Sequence, residues 1–461
     1  MNHKAKMSQV LDERLSPRQI RRDDEALATW GCDWTRSFAV APSAVVFPES
    51  VDDVVNLVAL ANAEGLALVP SGGRTGLSGG AVAGNGEVVV SFDRMNAILD
   101  FDPADRLVRC QAGVVTQSLQ EYADAQGLCY PVDFASAGSS QIGGNIATNA
   151  GGIKVIRYGL TRNWIAGLTV VTGRGEVLRL NNGLVKNATG YDLRHLFIGA
   201  EGTLGFVVEA DVWLAPRPEP QLVMVLGVPR FRDLLSVLAH FQSTLTLSAF
   251  EFFSELALEK VLAHRDLSRP LGEAAPFYAL IEFDESAMEQ AAAAFEHCVA
   301  EGWVSDGVLS QSEGQARNLW ALREGISESI AGYTPYKNDV SVRVSAMPEF
   351  LDHVDALVQA SYPEFEVCWY GHIGDGNLHL NILKPDAMET AEFHELCHGI
   401  SPRIFEQVAE HRGSISAEHG VGLLKRDFLG YTRSPEEIEV MRGLKAVLDP
   451  NGIMNPGKLL G

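Results

Sequence analysis

The sequence predicts a protein of two or three domains that combines helices with strands and includes a mixed sheet covered by helices. A chain of 461 residues is too long for one ordinary hydrophobic core. Strand-like apolar runs such as Leu222–Val228 and Phe277–Phe283 alternate with helical stretches such as Phe231–Phe241. Ala215–Pro220 contains three alternate prolines, which favours an extended connector between two domains.

The composition excludes several classes of protein. The chain has 59 acidic and 37 basic side chains, a net charge of −22, which argues against binding to a nucleic acid because that requires clustered Lys and Arg. No apolar run approaches the roughly 18 residues of a membrane span, and the polar start of the chain has no secretory apolar core. We therefore expect a cytoplasmic protein without a membrane span. The six cysteines have no paired spacing, which predicts reduced thiols.

The first domain is predicted to follow a charged helical leader over residues 1–35. Ser50 and Asp53 have the spacing of a capping box, and valines recur at helical spacing until Gly65 ends the helix. Ala67–Pro70 is a short apolar run that predicts a buried strand. The domain therefore opens with a helix and a strand.

Three glycine-rich blocks follow, at Pro70–Gly80, Ala137–Gly152 and Asn187–Gly205. The five glycines of the first block allow a tight turn whose backbone N–H groups converge on an anion such as a pyrophosphate. The second block is nearly free of charge, which lets the backbone approach a flat ligand. A flexible surface loop and a core-lining turn are the alternatives for these two blocks. The chain has no G-x-G-x-x-G, so the usual dinucleotide-binding fold lacks its fingerprint.

Tyr370–Asn381, with the sequence Y-G-H-I-G-D-G-N-L-H-L-N, predicts a β-hairpin. Its central Asp-Gly is typical of a two-residue loop, which would place His372 opposite His379. Directly opposed residues have Cβ atoms about 4.5–5.5 Å apart, close enough for two imidazoles to bind one metal ion. Asn381 would point the same way. Polar loop residues, or a cross-strand pair without a metal, are the alternative.

A second polar cluster, Ser416–Gly420, offers the carboxylate of Glu418 and the imidazole of His419. Two His and one Glu form the usual open catalytic zinc set, so the sequence predicts a metal site of His372, His379 and Glu418. Glu418 and His419 are adjacent, and a regular strand would send them to opposite faces. Both can act together only if the backbone bends, for which the following glycine provides the freedom.

Arg323 and Ser327 are candidates for binding an anion. They are four residues apart and would share one face of a helix, where a guanidinium and a hydroxyl can hold a carboxylate. An exposed helix with an ordinary arginine is the alternative. Lys337 lies in a polar stretch and is a solvated lysine unless the fold turns it inward.

The three glycine-rich blocks resemble the FAD-binding domain of the vanillyl-alcohol oxidase and p-cresol methylhydroxylase group of flavoproteins. The matching segments are P-S-G-G-R-T-G-L, I-G-G-N-I-A-T-N-A-G-G and G-Y-D-L-R-H-L-F-I-G-A-E-G-T-L-G. The resemblance implies a two-part α+β domain, with the first block on the FAD pyrophosphate and the second near the flavin ring. Some members bind FAD covalently through a His or a Cys. Here Arg74 and the Cys-free stretch 137–141 stand in those places, which implies non-covalent FAD.

Four segments of the second half resemble the D-2-hydroxy-acid dehydrogenases of this group. They are R-E-G-I-S, the hairpin sequence above, S-A-E-H-G-V-G-L-L-K-R-D and D-P-N-G-I-M-N-P-G-K. Members that act on D-2-hydroxyglutarate are the most similar, followed by those that act on D-lactate. Family members commonly have Thr in the place of Ser327, which leaves the fit at that position open.

The resemblance also implies a role for each candidate residue. A divalent metal, usually zinc, is held by His372, His379 and Glu418, and His419 is the base. The substrate is bound by Arg323, Ser327, Lys337 and Asn381. The residues implied in FAD binding are Ser71, Gly72, Gly73, Arg74, Thr75, Gly76, Leu77, Gly138, Ser139, Gly143, Gly144, Asn145, Thr148, Asn149, Gly152, Glu201, Gly202, Val207 and, from the tail that returns to the flavin, Asn455.

The implied reaction is oxidation of a D-2-hydroxy acid, foremost D-2-hydroxyglutarate to 2-oxoglutarate, by hydride transfer to flavin and proton transfer to the His base. D-lactate or D-malate as substrate, a sugar or lactone oxidase, and a non-catalytic FAD-binding subunit are alternatives. An electron-transfer flavoprotein is the acceptor typical of the family, and we also expect a homodimer. The predicted fold is α+β, with an FAD-binding domain at 36–216, a mixed-sheet substrate domain at 221–415 and, at 416–461, a C-terminal segment that completes the metal and flavin sites.

Overall fold

The computed structural model describes residues 10–460. Its strands are β1 (Ile20–Arg21), β2 (Ala44–Val46), β3 (Leu68–Ser71), β4 (Val88–Ser91), β5 (Ile98–Asp102), β6 (Leu107–Gln111), β7 (Leu128–Cys129), β8 (Ile165–Thr172), β9 (Val177–Leu180), β10 (Gly205–Trp213), β11 (Ala215–Pro216), β12 (Gln221–Val228), β13 (Leu247–Ser254), β14 (Phe277–Asp284), β15 (Asp306–Leu309), β16 (Tyr336–Ser341), β17 (Glu366–His372) and β18 (Asn377–Leu383).

From residue 15 onward the α-helices are α1 (Asp24–Trp30), α2 (Val51–Glu64), α3 (Thr116–Ala125), α4 (Ile142–Thr148), α5 (Val155–Tyr158), α6 (Thr161–Trp164), α7 (Arg194–Phe197), α8 (Phe231–Thr244), α9 (Glu255–His264), α10 (Met288–Ala300), α11 (Glu313–Glu324), α12 (Ile326–Ser329), α13 (Met347–Ser361), α14 (Thr390–Glu410) and α15 (Pro435–Leu448). Within residues 10–460, no helix has the length and apolarity that crossing a membrane requires.

The chain divides into two compact units. Of the described residues, the first unit contains 10–151, 160–217 and 418–460, and the second contains 152–159 and 218–417. Each unit is therefore assembled from separated stretches of sequence. The domain boundaries predicted above concern functional domains, and they stay predictions.

The first unit opens with a four-stranded sheet of order β1-β2-β4-β3. As predicted, Ser50 and Asp53 form a capping box at the start of α2, and Gly65 ends the helix with φ +67°. β3 and β4 are parallel, with Val69 opposite Val89. The helix and the strands share one apolar core, which includes Val54, Leu57, Val58, Leu68, Val88 and Val90.

A five-stranded antiparallel sheet, β5-β6-β10-β8-β9, forms the second part of this unit. Every residue of β8 is buried, as expected for a strand with neighbours on both sides and helices packed against it. Together the two sheets give the two-part α+β arrangement that the sequence predicted.

The end of the chain belongs to the core of the first unit. After α15, the N–H of Asn455 donates to the carbonyl of Leu68 in β3 over 2.8 Å. Met454 is fully buried in the core of the parallel sheet. The last residues therefore run beside β3, where the first glycine-rich block begins.

The second unit is built on a seven-stranded sheet of order β15-β12-β14-β13-β17-β18-β16. Every strand pair in this sheet is antiparallel, so the fold class is confirmed but the predicted mixed sheet is wrong in this detail. The strands before and after α8 run parallel, but they are not neighbours because β14 enters between them. Residues of α9, α11 and α12 cover one face, with Val223, Val225, Phe253, Tyr278, Leu280, Leu319 and Leu322 in the shared core.

Candidate active site

The two histidines of the hairpin lie on one face of the seven-stranded sheet. His372 is opposite Asn377, two residues before His379, so the prediction that the histidines are directly opposed is wrong. Diagonal positions share a face, and long side chains reach each other there. The Nε2 atoms of the two rings are 3.4 Å apart. The expected pair of imidazoles therefore forms, by diagonal rather than direct pairing.

The register differs because the turn is longer than predicted. Ile373–Asp375 forms a 3-10 turn, and Gly376 follows with φ +83°. A Cβ atom at Gly376 would lie 2.1 Å from the carbonyl oxygen of Val342, and the N–H of Val342 donates to the carbonyl of Gly376 over 3.1 Å. Packing against this neighbouring backbone, rather than the local preference of Asp-Gly, therefore sets the turn.

Glu251 holds His372 on the side away from His379. It lies opposite His372 on β13, is 1% exposed, and its Oε1 is 2.7 Å from Nδ1 of the ring. This contact directs Nε2 of His372 toward His379. Two imidazole nitrogens at 3.4 Å require a proton or a cation between them. A tetrahedral zinc with Zn–N bonds of about 2.0–2.1 Å would separate two ligand nitrogens by about 3.3–3.4 Å.

Asp339 links the hairpin to the segment that leads to the third predicted ligand. It is buried, its Oδ1 is 3.6 Å from Nδ1 of His379, and it accepts a hydrogen bond from Nδ2 of Asn377. Its Oδ2 accepts the backbone N–H of Ala417 over 3.2 Å. The second unit ends at Ala417, so Asp339 holds the last residue of that unit.

Glu418 and His419 lie in an irregular stretch rather than in a strand. Gly420 has φ +81°, a conformation that L-residues rarely adopt. The predicted backbone bend is therefore confirmed. The roles of Glu418 as a ligand and of His419 as a base stay predictions.

Arg323 is buried at the end of α11, with its guanidinium 4.7 Å from the centre of the Tyr370 ring. Its Nη2 lies 2.8 Å from Oε2 of Glu251, at an angle unsuited to a hydrogen bond. Among the described residues, Nε and Nη2 of Arg323 have no hydrogen-bond acceptor. Buried donors without acceptors cost free energy, and a guanidinium is well suited to a carboxylate. The alternative of an ordinary exposed arginine is therefore wrong.

Ser327 lies in the short helix that follows the helix of Arg323, so the predicted single helix is wrong in this detail. The break falls at Gly325, between α11 and α12. A Cβ atom there would lie 3.0 Å from Nε of Arg265, so the glycine admits this guanidinium against the backbone. Ser327 nevertheless lies beside the same residue as Arg323, because its hydroxyl interacts with that of Tyr370.

Lys337 and Asn381 lie opposite each other on β16 and β18. The Nζ of Lys337 donates to Oγ of Ser327 over 3.0 Å. Lys337 is an exposed residue, yet the protein atoms around its ammonium group lower its pKa through desolvation. Burial raises the pKa of Tyr370 to about 12, and its hydroxyl also interacts with Asn381. The structure thus brings Arg323, Ser327 and Asn381 to Tyr370, and Lys337 to Ser327.

The glycine-rich blocks meet in the first unit. A Cβ atom at Gly73 would lie 2.1 Å from the carbonyl oxygen of Ser139, so the first block packs directly on the second. In the third block Glu201 is buried with φ +51°, and its carboxylate accepts the N–H groups of Val421 and Gly422 over 2.7 and 2.8 Å. Burial raises the pKa of Glu201.

Asn455 ties the end of the chain to two of these blocks. It is fully buried, and its Nδ2 donates to the carbonyls of Gly80 and Glu201 over 2.9 and 2.7 Å. Oδ1 of Asn455, Oγ of Ser71 and Oε1 of Gln141 are buried without a hydrogen-bond partner among residues 10–460. Buried polar atoms are normally paired, so these three indicate a polar ligand.

Some predicted cofactor residues make contacts within the protein. Nη1 of Arg74 donates to the carbonyl of Gly72 and lies 3.5 Å from Asp93, so its side chain stabilises the first block. Oγ1 of Thr148 donates to a carbonyl one helical turn earlier. Gly152 belongs to the second unit, whereas the other predicted cofactor residues belong to the first.

Two family models match the chain. The model of the FAD binding domain matches residues 42–181, and that of FAD linked oxidases, C-terminal domain, matches residues 217–459. The second match alone covers more than half of the sequence.

Curated relatives match along almost the whole chain. The D-2-hydroxyglutarate dehydrogenase of Stutzerimonas stutzeri is 61% identical over 448 residues, which are 96% of this chain and 97% of that protein. The chain belongs to the D-2-hydroxyglutarate dehydrogenase family of FAD-linked oxidoreductases. The Xanthomonas citri member is 55% identical over 97% of this chain and 96% of its own length. The mitochondrial Bos taurus member is 39% identical over 97% of this chain and 82% of its own length. The cytoplasmic location stays a prediction.

Solved structures show the same fold at low sequence identity. The match to p-cresol methylhydroxylase has a TM-score of 0.78 at 15% identity, and it covers 100% of this chain and 97% of that protein's chain. The match to alkyldihydroxyacetonephosphate synthase has a TM-score of 0.73 at 19% identity, and it covers 98% of this chain and 85% of that protein's chain. The predicted p-cresol methylhydroxylase type of fold is confirmed.

The first unit of this family member fits FAD. The unpaired Oγ of Ser71 stands where β3 leads into the first glycine-rich block, a position suited to a phosphate oxygen. A Cβ atom at Gly144 would meet nothing within 4 Å, which leaves room beside the second block. The covalent attachment residues are replaced by Arg74 and by the Cys-free stretch 137–141.

Three residues of this site were missed from the sequence. Tyr370 and Asp339 could have been found, because they alternate with the predicted residues along β17 and β16 and therefore share their face. Glu251 had a weaker signal, a single acidic residue in the apolar run L-S-A-F-E-F-F-S. Its neighbours on adjacent strands could not be read from the sequence.

Proposed function

We propose that this protein oxidises D-2-hydroxyglutarate to 2-oxoglutarate and transfers the electrons to FAD. The observation that carries the proposal is the buried guanidinium of Arg323. Its Nε and Nη2 have no hydrogen-bond acceptor among the described residues, and its Nη2 lies beside Glu251, which also contacts the imidazole of His372. A 2-hydroxy acid bound there through a carboxylate would bring its hydroxyl-bearing carbon toward the histidine pair. The relatives at 61% and 55% identity carry the name of this activity, which supports the substrate.

We propose that His372, His379 and Glu418 hold a divalent metal ion, most suitably zinc. The 3.4 Å separation of the Nε2 atoms agrees with two nitrogen ligands of a tetrahedral ion. Glu251 and Asp339 lie near the Nδ1 atoms, in the place of the orienting carboxylates typical of metal-bound histidines. A divalent cation supplies positive charge that lowers the pKa of an alcohol beside it.

We propose His419 as the base. The reaction removes the hydroxyl proton and the hydrogen on C2 with its electron pair, which leaves the ketone of the 2-oxo acid. An imidazole nitrogen titrates near neutral pH and can accept that proton. FAD, when bound, supplies the acceptor for the hydride.

The second carboxylate of the substrate is assigned to Lys337. Arg323 would bind one carboxylate and Lys337 the other, while Ser327, Asn381 and Tyr370 offer hydrogen bonds. D-Lactate has only one carboxylate and would leave Lys337 without an ionic partner. D-Malate is the alternative dicarboxylate.

We propose a protein electron acceptor, such as an electron-transfer flavoprotein, rather than dioxygen. The relatives named above are dehydrogenases, which supports this assignment. Stoichiometric release of hydrogen peroxide during turnover in air would contradict it and favour an oxidase. A homodimer is proposed on the same family basis.

Anaerobic flavin reduction tests the proposed function. Purified holoprotein is mixed with D-2-hydroxyglutarate, D-malate or D-lactate, and with the L-enantiomer of each, while the flavin absorbance is followed. We expect fast bleaching with D-2-hydroxyglutarate, slower bleaching with D-malate and none with L-2-hydroxyglutarate. Full activity after thorough metal removal would overturn the metal assignment, and absence of bleaching with every 2-hydroxy acid would overturn the proposed reaction.

A further inference from the structure

We propose a second metal site in the second unit, formed by Glu349, His353 and His411. One ligand atom from each of these residues lies within 4.8 Å of the others. None of the three belongs to the predicted active site, and the inference does not depend on the proposed function. The ligand chemistry points to a first-row transition metal, with Zn²⁺ or Cu²⁺ favoured over Mg²⁺ and Ca²⁺, which prefer oxygen ligands.

Two helices bring these ligands together. Glu349 and His353 are four residues apart on α13, so they stand on one face of that helix. His411 is the first residue after α14. The ring centres of His353 and His411 are 5.6 Å apart. The end of one helix therefore meets the first turns of the other at this cluster.

His411 is held in the tautomer that a metal requires. Its Nδ1 lies 2.8 Å from the carbonyl oxygen of Gln407, and a carbonyl can only accept, so Nδ1 donates. Nε2 of the neutral ring then carries a lone pair, an arrangement common in metal-bound histidines. The ring also packs edge-on against Phe350, with centres 5.6 Å apart, which restricts its rotation.

The electrostatics and the access of the cluster suit an added cation. His411 is the cap of α14, and the C-terminus of a helix carries partial negative charge that favours a cation. Glu349 adds a full negative charge. Glu349 and His353 are exposed and His411 is half-buried, so an ion can enter from solvent, and two nitrogens with one carboxylate leave positions for water.

An ion at this site would bind His411, at the start of the segment that leads from α14 to Ala417, to Glu349 and His353 of α13. Within the second unit this segment pairs with β16 through Ser341 and Ser414, and its end donates to Asp339. The site is therefore expected to stabilise the packing of α13 against α14. It supplies no group to the reaction described above.

Zinc stoichiometry tests the site. Untagged holoprotein is freed of metal with a chelator, equilibrated with zinc alone by dialysis, and its bound zinc is counted for the wild type and for His353→Gln, His411→Gln and the double variant. We expect each variant to bind one zinc fewer per chain than the wild type, with flavin reduction by substrate unchanged. His264→Gln, which replaces an exposed histidine at the end of α9, serves as the matched control and should bind as the wild type does.

The background variant His379→Ala separates this proposal from the active-site metal. In that background one zinc per chain should remain, and His353→Gln should remove it. Equal zinc content in the wild type and the double variant would overturn the proposal. In the His379→Ala background, Cu²⁺ titration with and without Glu349→Gln gives an independent readout, for which we expect an affinity about tenfold weaker or less when Glu349 is replaced.

Discussion

At the scale of single residues, Glu251 shows how one buried carboxylate can organise a site. Its two oxygens face Nδ1 of His372 and Nη2 of Arg323 at 2.7 and 2.8 Å. It therefore joins the proposed metal ligand to the proposed substrate-binding guanidinium. Removal of a buried anion of this kind would leave a buried cation unpaired and destabilise the fold.

Glu251→Gln is expected to weaken metal binding. The amide keeps the shape of the side chain but loses the charge that orients His372 and raises its basicity, and such changes typically cost about 10–100-fold in metal affinity. The measurement is the zinc retained against a graded series of chelator concentrations, together with kcat/KM for D-2-hydroxyglutarate.

The matched control for this change is Glu282→Gln. Glu282 is a buried glutamate on the neighbouring strand β14, and it is ion-paired with Lys154 instead of a histidine. We expect the control to retain its metal. Equal metal loss in both variants would show that any buried carboxylate of the sheet is needed for stability, and that Glu251 has no specific role.

Lys337→Met is expected to change substrate preference. Nζ of Lys337 donates to Ser327, and the proposal gives it the second carboxylate of the substrate. Loss of a hydrogen bond to a charged group costs about 1.5–3 kcal/mol, or roughly 10–100-fold in kcat/KM. The loss should appear with D-2-hydroxyglutarate and be absent with D-lactate, so the ratio of the two kcat/KM values is the measurement. An equal loss with both substrates would contradict the assignment.

At the scale of secondary-structure elements, the hairpin shows where local reasoning reaches its limit. The spacing of apolar residues and glycines correctly predicted two strands that carry two histidines. The Asp-Gly preference predicted the wrong loop, because contact between Gly376 and the backbone of Val342 outweighs it. A change of register by one residue would have turned His379 to the other face, but the observed pairing keeps both rings on one face.

Helix α13 carries a second element-scale prediction, which concerns pH. Asp355 accepts a hydrogen bond from Nε1 of Trp369 in β17 over 2.7 Å, and burial raises the pKa of Asp355 from 3.8 to about 6. Because the pKa is higher in the folded state than in the unfolded state, ionisation of Asp355 opposes folding. The protonated carboxyl group of Asp355 therefore stabilises the fold. This stabilisation is complete below about pH 4 and is lost as the pH rises through about 6.

Asp355→Asn should therefore stabilise the protein at pH 7.5 and do so clearly less at pH 4.5, where folded Asp355 is mostly protonated. The amide oxygen can still accept from Trp369, while the cost of burying a charge disappears. That cost is at most about 3 kcal/mol for a pKa raised by about two units. Thermal unfolding of variant and wild type at the two pH values is the measurement, with exposed Asp386→Asn as control. A stabilisation of the same size at both values would contradict the explanation.

At the scale of the whole molecule, stretches that are far apart in the sequence pack together in one unit. The first unit combines the first half of the chain with its last residues, and Asn455 bonds to Gly80 and to Glu201. The resemblance to the flavoprotein group anticipated this return of the tail. No local feature of the tail could have specified it, because the partners are separated by hundreds of residues.

The residues at the positions where relatives attach FAD covalently also predict how FAD is held by the whole molecule. With Arg74 and a Cys-free second block at the attachment positions, the flavin should be released when the fold is lost. We expect acid precipitation of the holoprotein to leave all flavin absorbance in the supernatant. Flavin that remains with the precipitated protein after washing would contradict non-covalent binding.

The sequence by itself determined the family, the α+β class, the glycine-rich blocks and the side chains available for chemistry, because these depend on residue types and short spacings. Only the tertiary structure decided the diagonal pairing of His372 with His379 and the break between Arg323 and Ser327. It also decided that the carboxylate of Glu251 contacts both His372 and Arg323. Strand register and the meeting of distant strands depend on contacts between residues far apart in the chain. Those contacts leave little trace in any short stretch of sequence.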